Sequence, residues 1–165
     1  MMNLKTEDKK VGMFGGKFNL HNGHIYAIYE ASTMVDELYV VVSYIEERDK
    51  ELAKQAGIKY ANPKLRALWI TQATKHIPNV KVLCVEDIPM DVGYTIDDVW
   101  ALGAERIKQA IPEKITHVFS SENEYEPFFK ANYEGAEHIV IDAERKNVPI
   151  SSTKLREEGI YKIGI

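Results

Sequence analysis

Apolar and polar positions change period along the chain so that strands and helices are predicted to take turns. Lys10–Phe14 is a short apolar run stopping at Gly15-Gly16, which reads as a first strand. From Gly23 to Val35 the apolar residues Ile25, Ile28, Ala31 and Val35 recur every three or four positions, the spacing of a helix face. Leu38–Ser43 is β-branched or apolar almost throughout, as a parallel strand covered on both faces should be. Asn62-Pro63 offers an N-cap with Pro at the first helical position and opens Lys64–Ile77, striped by Leu65, Leu68, Trp69 and Ala73. Val80–Val85 reads as a third strand. Thr95, followed by Asp97 and Asp98, caps a helix carrying Ile96, Val99, Trp100, Gly103 and Ile107. Ile115–Phe119 predicts a fourth strand, Glu124–Asn132 a helix, His138–Ile141 a fifth strand, and Ser151 or Ser152 a last helical turn to Arg156.

This alternation predicts an α/β domain, a Rossmann-like doubly wound parallel sheet of about five strands. Ligands bind such sheets beyond the carboxyl ends of the strands. Function is therefore expected in Gly15–His24, Ser43–Asp49, Glu86–Thr95, Ser120–Glu122 and Asp142–Arg156. No repeat or low-complexity block divides the 165 residues, so one domain over 10–158 is expected, with short tails 1–9 and 159–165.

Composition narrows the classes. One Cys among 165 residues excludes a disulfide framework and a multi-cysteine zinc site, and fits a reducing compartment such as the cytoplasm. Residues 1–10 lack the apolar stretch of a secretory signal, and no apolar run approaches the ~20 residues of a membrane helix. A net charge of −4 argues against a nucleic-acid partner, which would need a basic face. A phosphate ligand needs only local cations and amides, so it stays open.

Gly15-Gly16-Lys17-Phe18-Asn19-Leu20-His21-Asn22-Gly23-His24 joins a strand end to a helix start. Two glycines permit close approach of a ligand to the backbone, Lys17 adds a point charge, and His21 and His24 sit beside free helix amides. These features suit a phosphate site. The spacing is neither that of a P-loop nor of a dinucleotide-binding turn. A metal reading of the two His lacks a third ligand nearby in sequence, and Gly-Gly also occurs in plain turns. Ile150-Ser151-Ser152-Thr153-Lys154-Leu155-Arg156 offers hydroxyls, amides and a cation at a second helix start; alone it equally describes a capped, exposed basic turn.

Together, His21-Asn22-Gly23-His24 and Ile150–Arg156 resemble the His-x-Gly-His nucleotidyltransferase superfamily. Phe14–Phe18, Val35–Leu38, Tyr44 with Arg48-Asp49, Phe119–Glu122 and Ile150–Glu157 narrow the resemblance to NadR-type nicotinamide-mononucleotide (NMN) adenylyltransferases. The resemblance implies transfer of the adenylyl group of ATP to NMN, giving NAD and pyrophosphate. It implies His21 and His24 on the triphosphate, His24 nearest the α-phosphoryl group, with Lys17 and Arg156 on the β and γ phosphates. Ser152 and Thr153 would donate hydrogen bonds, and Gly15, Gly16, Phe18, Ser121, Glu122, Ile150 and Ser151 would complete the ATP site. Mg²⁺ would arrive with ATP, held by few protein ligands. Arg48, Trp100 and Tyr44 would serve NMN. Trp100 either stacks on nicotinamide or belongs to the core; Arg48 either binds the NMN phosphate or pairs with Glu47 or Asp49. Trp69 and Cys84 are expected in the core.

Two departures stand out. Only Asn19 and Leu20 separate Phe18 from His21, where three residues are usual, and the usual aromatic-rich ending is replaced by Glu157–Ile165. The kinase and DNA-binding regions of some NadR-type chains are not expected in 165 residues. Another acceptor (pantetheine phosphate, or a cytidylyltransferase reaction) and a non-catalytic nucleotide sensor are the rival readings, and a homo-oligomer is left open.

Overall fold

In the computed structural model, which describes residues 9–18, 22–90 and 93–141, the strand at Leu38–Val42 is wholly buried and carries the sheet. Five strands, β1 (Val11–Gly16), β2 (Glu37–Tyr44), β3 (Val80–Glu86), β4 (His117–Ser120) and β5 (Glu137–Val140), pair in parallel in the order β3-β2-β1-β4-β5. Between them run α1 (Asn22–Ser32), α2 (Glu46–Ala56), α3 (Pro63–Ala73), α4 (Ile96–Ala110) and α5 (Glu126–Asn132), the last entered through a 3₁₀ turn at Asn123–Tyr125.

Strand alternation sorts the core into two layers. Phe14, Leu38, Val40, Val42 and Phe119 face Ile28 and Ala31 of α1 and Ile70 of α3. Val11, Met13, Tyr39, Val41 and Val118 face Ala104 of α4 and Phe129 of α5. Helices thus cover both faces, the doubly wound arrangement that the alternation predicts. Burying strands on both sides removes the polar face that would otherwise tell outside from inside.

The caps behave as the sequence implies. Asn62 Oδ1 accepts from Leu65 N at 2.8 Å, and Thr95 and Asp98 form a reciprocal capping box. Two expectations fail. Helix α2 is absent from the sequence reading because it lacks an apolar stripe: only Asp49 and Ala53 are buried. A Lys50–Glu46 pair at 3.0 Å on its surface and a left-handed Gly57 at its end accompany it. Cys84, expected as a buried hydrophobe, is exposed: β3 is the edge of the sheet, where Val82 and Leu83 pack against the two layers but Cys84 is covered by neither. Trp69 is only partly buried, packed against the α1–α3 layer.

Candidate functional site

Strand order reverses at β1: the chain builds β2 and β3 to one side, then crosses over to place β4 on the other. Connections leave these strand ends in opposite directions and open a crevice, the usual ligand position in open α/β sheets. A cavity of about 530 Å³ fills it. Gly15 and Gly16 at the end of β1, Lys17 just past it and His24 of α1 line it. Arg48 of α2, Asp87 just past β3, and Trp100, Tyr125 and Tyr133 line it as well.

The loop after β1 turns at Phe18, whose φ of 52° is the only positive value at a non-glycine among the described residues. Neither Gly15 nor Gly16 has a positive φ. A Cβ on Gly16 would rest in ordinary contact with the Phe18 ring at 3.4 Å. Phe18 is only 2% exposed and packs edge-on against Phe14 (5.7 Å) and His24 (5.1 Å). Phe18, which the resemblance assigns to the ATP site, lines the cavity and packs against the His24 imidazole.

At the β4 end, Ser120, Ser121 and Glu122 line the cavity. Ser120 Oγ pairs with His138 Nε2 at 2.6 Å and accepts from Glu122 N at 3.3 Å, while His138 Nδ1 pairs with Glu126 Oε1 at 2.5 Å. This row from β5 through β4 to α5 fixes the Ser121–Glu122 turn. Isolated Ser, His and Glu spaced 6 and 12 residues apart give no sequence signal for it.

Arg48 makes the pairing with Asp49 that one of its readings expects. Its Nε donates to Asp49 Oδ1 at 2.9 Å and Nη1 lies 3.8 Å from Asp87 Oδ2, yet it lines the cavity. Its Nη2 is buried with no hydrogen-bond partner among the described residues. Asp87, which the sequence reading did not single out, accepts from Ser43 Oγ (3.1 Å) and from Ile88 N (2.8 Å). Gly103 of α4 lets the helix pass close: a Cβ there would stand 3.5 Å from Asp87 Oδ1.

Trp100 packs as its core reading expects. Phe128 stacks on it at 4.9 Å and 8°, Phe129 meets it edge-on at 5.3 Å, and the indole still borders the cavity. Burial pushes the Tyr133 phenol well above its usual range, helped by the nearby Asp87 charge. Partial burial, then Glu122 and Glu124, raises Tyr125 likewise. Both phenols thus stay hydrogen-bond donors at neutral pH. Tyr44 is not brought to the cavity; its carbonyl accepts from Asp87 N at 2.8 Å. His21, Ile150, Ser151, Ser152, Thr153 and Arg156, with the expected last helical turn, lie outside the described residues.

A crossover sheet with a glycine–lysine loop, an imidazole and an aromatic-ended crevice at its switch point defines a Rossmann-like domain of the nucleotidyltransferase class. The chain belongs to the cytidylyltransferase-like family, whose model matches residues 13–158. It is 29% identical over 160 residues to the trifunctional NAD biosynthesis/regulator protein NadR of Salmonella typhimurium, covering 94% of this chain and 38% of that protein. It is also 26% identical over 153 residues to the phosphopantetheine adenylyltransferase of Lactococcus lactis, covering 90% of this chain and 82% of that one. A crystal structure of NadR in complex with NAD and AMP-PNP superposes with a TM-score of 0.65 at 24% identity, over 90% of this chain and 42% of that chain. The chain thus spans well under half of the NadR proteins it matches, and the shared fold is the doubly wound sheet described above. No helix among the described residues is long and apolar enough to cross a membrane.

Proposed function

We propose that the chain transfers the adenylyl group of ATP to NMN, releasing pyrophosphate and forming NAD. The observation that carries this reading is the lining of one cavity, which brings Lys17 and His24 together with Arg48, Asp87 and Trp100. An acceptor phosphate oxygen attacks the α-phosphorus, its new P–O bond forming as the bond to the β-phosphate oxygen breaks and pyrophosphate leaves. No covalent enzyme intermediate is needed, so alignment and charge compensation supply the rate. Lys17 and His24 stabilise the triphosphate side, with His21 and Arg156 joining them by resemblance. The guanidinium of Arg48, its Nη2 lacking a partner, suits the acceptor phosphate. Trp100 offers a flat surface to nicotinamide.

Among the described residues no cluster of three or more His, Cys, Asp or Glu forms, and the acids on the cavity, Asp87 and Glu122, follow different strands, β3 and β4. That donor set suits Mg²⁺ carried in on the triphosphate, which would neutralise phosphate charge there. Pantetheine phosphate is the second acceptor worth testing, because the likeness to the phosphopantetheine adenylyltransferase spans 82% of that enzyme. Pyrophosphate release with ATP and Mg²⁺ against NMN, nicotinic acid mononucleotide and phosphopantetheine is the test. Fastest turnover with NMN supports the proposal, and preference for phosphopantetheine replaces it. ATP binding without turnover on any acceptor makes the chain a nucleotide sensor.

A further inference from the structure

Arg66 is the largest fully buried side chain among the described residues, at 2% exposure. A buried cation is costly unless it is paired and hydrogen-bonded, and here each of the three guanidinium nitrogens has an acceptor. Nε donates to Ala61 O at 3.0 Å, Nη1 to Lys17 O at 2.7 Å and Nη2 to Asp49 Oδ2 at 3.1 Å. Those acceptors come from the start of α3, the loop after β1 and the first turn of α2. Asp49, itself buried, also takes Arg48 Nε on Oδ1 at 2.9 Å and Ile45 N on Oδ2 at 3.3 Å.

We infer that Arg66 is a positioning residue that sets Lys17, on the phosphate side of the cavity, against Arg48, on the acceptor side. The inference rests on the proposed adenylyl transfer for its kinetic readout. The carbonyl it holds belongs to the Lys17–Phe18 peptide, the bond leading into the positive φ of Phe18. Strained backbone of that kind persists only where its surroundings over-determine it, and a short bond from a buried guanidinium does so. Through Asp49 the same group orients the Arg48 side chain, so one side chain on α3 reaches both halves of the site. An apolar residue would fill the volume without desolvating a charge, yet it would leave Asp49 and the Lys17 carbonyl unsatisfied.

Arg66→Lys separates placement from folding. The ammonium keeps a charge for Asp49 but cannot serve all three acceptors in the fork geometry. Pyrophosphate release is measured for wild type, Arg66→Lys, Arg66→Met and Arg48→Ala, each well below its own Tm. A misplacement near 1 Å can cost about a hundredfold in rate. Arg66→Lys is therefore expected to lower kcat roughly tenfold or more and to raise KM for NMN. Arg48→Ala should raise KM for NMN alone. If Arg66→Lys and Arg66→Met lower Tm but leave kcat and both KM values at wild type, Arg66 is only structural and the inference fails. Should Arg66→Met not fold, Arg66→Lys decides alone. If wild type turns over no acceptor, the proposed reaction fails separately, and ATP affinity by calorimetry tests the positioning: Arg66→Lys should weaken it about fivefold or more and Arg48→Ala should not. Unchanged affinity in both variants overturns the inference.

Discussion

Replacing Trp100 with Ala reads two quantities at once, because the indole is both packed and facing the cavity. Full truncation of a buried Trp costs about 3–5 kcal/mol. Trp100 is half-buried, so about 2 kcal/mol is expected, including the lost stack on Phe128 at 4.9 Å and the edge contact with Phe129 at 5.3 Å. For a domain of this size that corresponds to a fall in Tm of roughly 4–8 °C. Stacking of a base on an aromatic ring is worth about 1–3 kcal/mol, so KM for NMN should rise roughly 5- to 150-fold. KM for ATP should stay within about twofold, because the proposed stacking touches the acceptor alone. Differential scanning fluorimetry and a two-substrate pyrophosphate-release assay give both readings. Trp100→Phe, which keeps a ring against Phe128, should recover most of the Tm and part of the KM. A parallel rise in KM for ATP and NMN, or a lower Tm with both KM values unchanged, would refute a stacking role.

Three further outcomes are expected. His24→Ala should lower kcat by about 10²–10³ with little change in ATP affinity by calorimetry, since in the proposed reaction His24 is a donor to the developing charge. Gly12→Ala should cost about 1–3 kcal/mol in urea unfolding. Its Cβ would stand 2.7 Å from Phe119 Cε2 and 3.2 Å from Val35 Cγ1, in a layer where Phe119 is fully buried. Hydrogen bonding to Glu113, then to Lys81 and Lys9, holds the Glu37 carboxyl down at about 2 from its usual 4.5. A depressed folded-state value means stability present above pH 4.5 and lost as pH falls toward 2. Glu37→Gln should therefore flatten the fall in Tm across that window, as thermal melts at stepped pH will show.

Much of the fold is legible where one residue type has one physical meaning. Leu38–Val42 reads as a doubly covered strand because nothing polar interrupts it, and Asn62-Pro63 and Thr95 mark helix starts through local hydrogen bonds. Helix α2 escapes because its support is ionic and long-range rather than periodic. Cys84 misleads because an edge strand and a central strand carry similar residues, and only the sheet order tells them apart. In the site, the strand-end rule finds the loop of Lys17 and the Ser120–Glu122 turn. Arg66 and Asp87 stay hidden: Arg66 meets Asp49 and Lys17 across 17 and 49 residues, and Ser43 meets Asp87 across 44. Pairs at those separations exist only once the chain has folded.

The seam between β1 and β4 has a consequence for how the molecule is made. Strands β3, β2 and β1 are consecutive in the sequence and adjacent in space, so the side of the crevice bearing Lys17, Arg48 and Asp87 is encoded in the first half of the chain. The other side waits: Val11 N reaches its partner Thr116 Oγ1 only across 105 residues. During synthesis the phosphate loop therefore leaves the ribosome long before Ser120 does. Until β4 docks, the crevice has a floor and one bank, and the flank of β1 stands as an unpaired edge over Gly12.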